Sequence, residues 1–145
     1  MKKIIIGLLL TISALVADNE ANWPFACEAS DLVFLADERY FSVGGSVDYP
    51  SIRVDAQTIQ IDRKNKTIKF WAIWVANKYQ GHGVMKGLSL IDYGKMKFQS
   101  LSIATMQCNG SNIYASSAAG MMNDIYPGSA MEMITKKLIE KYSLK

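Results

Sequence analysis

The segment from Thr67 to Ala76 constrains the fold more than any other part of the chain, because it is rich in β-branched and aromatic residues. As a strand it is largely apolar on both faces, with Ile68, Phe70 and Trp74 on one and Lys69, Trp71, Ile73 and Val75 on the other. A strand of this kind is stable only when both of its faces are covered. We therefore predict a central strand in a sheet, with other elements packed on each side.

This segment is the second half of the clearest hairpin motif in the sequence. Thr58–Asp62 alternates polar and apolar residues, and Arg63–Lys66 is a polar turn. We expect further strands from several segments that are rich in apolar or alternating residues: Leu32–Leu35, Arg39–Val43, Ser46–Tyr49, Lys95–Cys108 and Ile113–Ser116. Residues 80–83 read as a loop, whereas Leu88–Ile91 is ambiguous and residues 117–126 resist assignment.

The last segment of the chain predicts a helix. Ser129 follows Pro-Gly and stands three residues before Glu132, which is the spacing of a capping box in which the carboxylate returns to the Ser129 amide. An apolar stripe recurs at helical spacing through Met131, Ile134, Leu138 and Tyr142. The fold class is therefore α+β: a mainly antiparallel sheet of about five to six strands, with a C-terminal helix packed on one face.

The amino-terminal segment has the pattern of a secretory signal peptide. Lys2 and Lys3 precede an apolar run, Ile4–Ala17, that is too short for an ordinary membrane span. The alternative is an uncleaved anchor. Removing residues 1–17 lowers the formal net charge from +3 to +1, so bulk charge gives little support to a nucleic-acid partner. The expected organisation is a signal peptide at 1–17, an extension at 18–30 and one α+β domain at 31–145.

Export changes the interpretation of Cys27 and Cys108, the two cysteines of the chain. An oxidising compartment favours a disulfide between them. The alternative is that both cysteines are buried free thiols. Lipid attachment at Cys27 is a further alternative, although the residues before it do not form a lipobox.

The sequence contains no specific catalytic motif. His82, the single histidine, stands between two glycines, and the spacing of Asp48 and Asp55 is not diagnostic of a carboxylate pair. One histidine and two cysteines are too few for an ordinary zinc site. We therefore expect no enzymatic activity, no cofactor and no metal.

Two basic groups are the candidate partner-binding residues. Arg63, Lys64, Lys66 and Lys69 are expected to gather at the hairpin tip, and Lys136, Lys137, Lys141 and Lys145 lie along or just beyond the last helix. The alternative is that both groups are simply solvated surface.

Four segments in this order resemble the surface-adhesin protein E family of small exported bacterial proteins. They are Val47–Arg53, the Trp-bearing Ile68–Trp74, Phe98–Ser100 leading to Cys108, and Ile125–Glu132 at the turn into the last helix. The resemblance implies a sheet with a C-terminal helix, a possible homodimer and adhesion to host matrix proteins or plasminogen. It carries over no binding residues.

Three functional hypotheses follow. The first is an exported binding domain at the cell surface or in the periplasm, with a protein partner. It binds no nucleic acid and has no membrane span once the signal peptide is removed. Lys145, as a carboxyl-terminal lysine, is the expected contact for a lysine-binding kringle of plasminogen. The second is a periplasmic inhibitor or immunity-type protein that blocks an enzyme with the loop Gln80–Lys86. The third is a small enzyme that uses His82, Asp48 and Asp55.

Overall fold

The structure, a computed structural model, describes residues 26–80, 83–116 and 119–145, and for residues 112–115 it describes the backbone alone. The expected signal peptide, Trp23 and Phe25 of the extension, and His82 lie outside the described residues. The α+β prediction is confirmed, because an antiparallel sheet carries a C-terminal helix.

The sheet has six strands on its main path and two short strands beside them in the described part of the chain. The hydrogen-bonded order is β1-β2-β4-β5-β6-β7, with β3 paired to β4 and β8 paired to β6. The bounds are β1 Tyr40–Gly44, β2 Ser51–Asp55, β3 Gln60–Asp62, β4 Thr67–Val75, β5 Val84–Asp92, β6 Lys97–Met106, β7 Asn112–Ser116 and β8 Asn123–Asp124. All pairings are antiparallel.

The position of β4 confirms the prediction of a central strand. One edge of β4 pairs with β3 near Ile68 and with β2 near Trp74, and the other edge pairs with β5 along its whole length. The predicted hairpin is β3 and β4. Its two faces, however, are covered to different extents.

The first face carries the main core and is covered by helix α1, Ala130–Tyr142. Ile134 and Leu138 of α1 are fully buried in one cluster with Ile68 and Phe70 of β4. The sheet contributes further buried side chains to this cluster: Val43, Ile52, Val54, Ala72 and Ile91. At the edge, Met133 lies against Gly44, where a side chain would collide with its sulfur and where φ is +115°. A glycine at this position therefore lets the helix approach β1.

Helix α1 begins where the sequence predicts, but the Glu132 carboxylate accepts a different backbone amide from the one expected. The Ser129 Oγ accepts the Glu132 amide at 3.2 Å, as the capping motif predicts. The Glu132 carboxylate accepts the amide of Gly128, at 3.2 Å, and not that of Ser129. This bond, followed by the neighbouring Lys136, holds the pKa of Glu132 below its ordinary value. The carboxylate also lies at the end of the helix where the dipole favours a negative charge.

The second face is covered only at one end. Leu32 and Leu35 are fully buried against Ile73 and Val75 of β4. The prediction that Leu32–Leu35 is strand-like is wrong, because Asp31–Ala36 forms a 3-10 helix. With about three residues per turn, a 3-10 helix puts residues 32 and 35 on the same side, and that side faces the sheet. Beyond this helix Lys69, Trp71 and Leu88 of the same face are only half-buried.

A disulfide joins Cys27 to Cys108, as predicted, and anchors the covered end of the second face. Cys27 is buried in the cluster that contains Leu32, Leu35 and Met106, and the partly buried Cys108 packs against it. Gly83 lies directly beside the bond, and a Cβ at that position would stand 2.5 and 2.7 Å from the two sulfurs. The bond thus ties the segment before the 3-10 helix to the second residue after β6.

Strand β5, Val84–Asp92, is not predicted by the sequence pattern, in which only Leu88–Ile91 is apolar enough to suggest a strand and is ambiguous. It begins at Val84 and has a buried glycine, Gly87, at its middle. A glycine and the lysine at 86 break the apolar alternation, so the strand is specified by its long neighbours β4 and β6 rather than by its own pattern.

We predict that the disulfide contributes strongly to stability, because it closes a long loop. The two cysteines are 81 residues apart, which corresponds to an upper limit of about 4.5 kcal/mol in the chain-entropy model. Urea unfolding should show a large loss of free energy of unfolding in C27A+C108A, and a similar loss in wild type under reductant. A variant as stable as the oxidised wild type would contradict this role.

Candidate functional site

The turn between β3 and β4 presents basic side chains on a well-ordered backbone. Asp62 accepts the Asn65 amide at 3.0 Å and its side-chain amide at 2.8 Å. These bonds lower the pKa of Asp62 and use its carboxylate inside the turn. Arg63, Lys64 and Lys66 are exposed around it. The turn therefore displays three cations beside one carboxylate that is already engaged.

Arg63 joins this turn to the end of helix α1. Its Nη2 donates to the carbonyl oxygen of Tyr142 at 3.1 Å, across 79 residues of sequence. That carbonyl belongs to the last turn of the helix, where the dipole is negative and a cation is favoured. The two basic groups that the sequence treats separately are thus neighbours in the structure.

The lysines of α1 differ in their surroundings. Lys136 forms an ion pair with Glu132, with 3.4 Å between Nζ and Oε1. Lys137 and Lys141 are exposed, one helical turn apart, and neither makes an ion pair in the described part of the chain. The Lys141 ammonium lies 4.6 Å from the ring centroid of Phe41 in β1, which holds its side chain over the edge of the sheet.

We call six exposed cations of the β3–β4 turn, helix α1 and the residues after it the basic surface: Arg63, Lys64, Lys66, Lys137, Lys141 and Lys145. Two candidate residues lie apart from it. Lys69 projects from the second face of the sheet, opposite Leu90 of β5. Lys136 is neutralised by Glu132 and borders a groove of about 660 Å³ between α1 and the loop after β1.

That groove adds apolar surface beside the cations. Its walls include Val43 and Val47 from the sheet side and Met133, Lys137 and Glu140 from the helix. Val47 is 57% exposed. Lys137 therefore stands both at the groove and on the basic surface, which connects the two.

Of the two carboxylates proposed for catalysis, that of Asp55 is fixed by structural contacts and that of Asp48 is exposed. Asp55 is fully buried, and Arg39 binds it with two bonds, from Nε at 3.1 Å and from Nη2 at 2.6 Å. One Asp55 oxygen also accepts the Gln57 amide at 3.1 Å. Asp48 accepts the Asn77 amide through its main-chain oxygen. Across residues 26–80, 83–116 and 119–145, no group of three or more His, Cys, Asp and Glu side chains is placed to hold a metal ion.

The loop proposed for enzyme inhibition is shorter than the sequence suggests. Val84–Lys86 belongs to β5, and Gly83 is packed against the disulfide. Gly81 and His82 lie outside the described residues. The neighbouring Tyr79 is 71% exposed, and its amide is held by the Asn77 side chain at 2.9 Å.

No protein-family model matches the sequence, and a search of curated proteins gives no match either. Among solved structures, that of Haemophilus influenzae protein E aligns with a TM-score of 0.54 and 8% identity, covering 73% of this chain and 87% of that one. The chain has the fold of protein E.

Two further protein E structures agree. Crystal form II of the Haemophilus influenzae protein gives a TM-score of 0.57 at 8% identity, covering 74% of this chain and 91% of that one. Protein E from non-typeable Haemophilus influenzae gives 0.53 at 6% identity, with 74% and 79% covered. The resemblance noted in the sequence is thereby confirmed at the level of the fold. Within the described ranges, no helix is long and apolar enough to cross a bilayer.

We predict that Arg39 and Asp55 act as a structural pair. Replacing Arg39 by methionine leaves the buried Asp55 carboxylate unpaired and should measurably lower the free energy of unfolding. The double variant R39M+D55N removes the charge while keeping an acceptor for the Gln57 amide, so it should recover much of that loss. Chemical denaturation measures both. A double variant less stable than R39M would contradict the assignment.

Proposed function

We propose that this chain is an exported binding domain without enzymatic activity, and that it holds a protein partner on the basic surface. By family resemblance the partner is a host matrix protein or plasminogen, and the domain that binds it spans residues 31–145. The protein E fold and the four sequence segments that resemble the surface-adhesin family support this proposal.

The observation that carries the proposal is the bond from Arg63 to the carbonyl of Tyr142. It brings the cations of the hairpin turn next to those of the helix, which are distant in sequence. Lys64, Lys66, Lys137 and Lys141 make no ion pair in the described structure. Unpaired cations in one area attract an acidic surface and accelerate its association.

Export is supported by two features of different kinds. The segment Met1–Ala17 has the pattern of a secretory signal peptide. The disulfide between Cys27 and Cys108 suits an oxidising compartment such as the periplasm or the cell surface. A protein that engages a host partner must further be reachable from outside the cell.

We predict that two charges of the basic surface matter for binding. K64Q+K137Q removes one cation from the turn and one from the helix, and should weaken binding to immobilised plasminogen or matrix protein by about tenfold. Because both residues are exposed, folding should be unaffected. Surface plasmon resonance at two salt concentrations should show the loss mainly in the association rate.

The matched control is K69Q+K86Q, which makes the same change of charge on the second face of the sheet. It should bind these proteins as wild type does. Equal loss in both double variants, or no loss in either, would contradict docking on the basic surface.

A second measurement separates this proposal from the inhibitor hypothesis, which the exposed Tyr79 next to the predicted loop favours. Protease shaving of intact cells should release fragments of this protein if it is an adhesin. Protection from shaving, together with stoichiometric capture of a periplasmic hydrolase that Tyr79→Ala abolishes, would instead identify an inhibitor.

A further inference from the structure

The open part of the second face contains a groove that the proposed function does not use. It has a volume of about 310 Å³ and is bordered by Gln57, Thr58, Gln60, Lys69, Trp71 and Leu88. We call it the Trp71 groove. Its floor is formed by β4 and β5, and one wall by the 3-10 turn Ala56–Thr58 with the start of β3. This volume is at the lower end of the range for small-ligand sites.

The wall of the groove is fixed to its floor. Thr58 Oγ1 accepts the Trp71 amide at 3.0 Å and donates to the Asp55 carbonyl at 2.7 Å. Asp55 is itself buried against Arg39. The half-buried indole of Trp71 therefore stands on a rigid strand beside a rigid turn, and a ligand would meet a surface that is already formed.

Two lysines flank the indole along the sheet. Lys86 Nζ lies 5.0 Å from the centroid of the Trp71 ring, while Lys69 precedes Trp71 by two residues on the same face. The register pairs Lys86 with Ile73, so the two lysine Cα positions are separated by four strand residues, or about 13 Å. Neither ammonium forms an ion pair in the described structure.

The groove has no carboxylate among its bordering residues. The Asp55 carboxylate is close to the groove, because the register of β2 places it beside Trp71, but it is buried and paired with Arg39. The carboxylates of Asp62 and Asp92 are at the turn end of the sheet and accept backbone amides there. A ligand in the groove thus meets Lys69 at its border and the Lys86 ammonium beside the Trp71 ring, whereas the Asp55 carboxylate is already neutralised by Arg39. The charge pattern selects an anionic ligand with more than one acid group.

Two glutamine side chains at the groove offer a second kind of recognition. The side chains of Gln57 and Gln60 are exposed and make no hydrogen bond in the described part of the chain. Each offers both donors and an acceptor. A ligand rich in hydroxyl groups satisfies such side chains, and the C–H face of a sugar ring packs on the negative face of an indole.

We propose that the Trp71 groove binds an acidic polysaccharide, with a sugar ring against Trp71 and carboxylates at Lys69 and Lys86. An acidic peptide fits less well, because the interior of a sheet face offers no free backbone groups with which an extended peptide could pair. A single strand of nucleic acid fits less well because its bases stack on successive aromatic rings, and Trp71 is the one ring that borders the groove.

The test uses the full chain and a galacturonic acid hexamer as the probe, followed by Trp fluorescence and calorimetry. Wild type should bind the hexamer and not neutral maltohexaose. K69Q+K86Q should weaken binding by about tenfold or more, since each lysine supplies a charge-assisted hydrogen bond. W71A should weaken it to a similar extent, and W71F should retain part of the affinity.

The control for this test is K64Q+K137Q, which should bind the hexamer within about twofold of wild type because rim charges away from the site contribute little. No binding of the hexamer by the wild type would overturn the proposal. So would equal loss in the two double variants, or unchanged binding by W71A. A polyglutamate peptide or an oligothymidylate bound more tightly than the hexamer would overturn the assignment to a polysaccharide.

Protein partners and the polysaccharide are tested on opposite surfaces, so the two outcomes are separable. Loss of plasminogen or matrix binding only in K64Q+K137Q concerns the proposed function. Loss of hexamer binding only in K69Q+K86Q supports the Trp71 groove and leaves the protein-binding proposal unaffected.

Discussion

The structure depends on burying apolar residues from both faces of one strand. β4 is paired on both edges and carries Ile68, Phe70 and Ala72 into one core and Ile73 and Val75 into another. Because successive residues of a strand point to opposite sides, no single element can cover both sets. Helix α1 covers the first set, and the 3-10 helix Asp31–Ala36 covers the second. The disulfide at one end of the second face and the open groove beyond it both concern how the second set is covered.

The two covers are attached in different ways. Helix α1 buries a continuous apolar stripe and is positioned by its cap at Ser129 and by the Arg63 bond near its end. The 3-10 helix is short and buries only Leu32 and Leu35 completely. A piece of this size has little stability alone, and the disulfide from Cys27 to Cys108 holds it in place. Its small size also leaves Trp71 and its neighbours half-exposed.

Much of the fold could be predicted from local pattern. Local sequence patterns indicate both the hairpin of β3 and β4 and the start of α1, and tertiary contacts do not override either pattern. The 3-10 helix could not be found, because four apolar residues in a row fit several structures and only the underlying sheet selects one. The same limit applies to the candidate site. Proximity of Arg63 to Tyr142, and separation of Lys69 from the turn, depend on strand register and helix packing that charge patterns do not encode.

The central claim is that one face of β4 is closed and the other is open around Trp71. Hydroxyl-radical footprinting of the native protein, read residue by residue by mass spectrometry against the unfolded chain, measures this directly. The account predicts strong protection of Phe70, Ile68 and Ile91, and much weaker protection of Trp71 and Leu88. Equal protection of both groups would show that the second face is covered along its whole length, and would contradict the account.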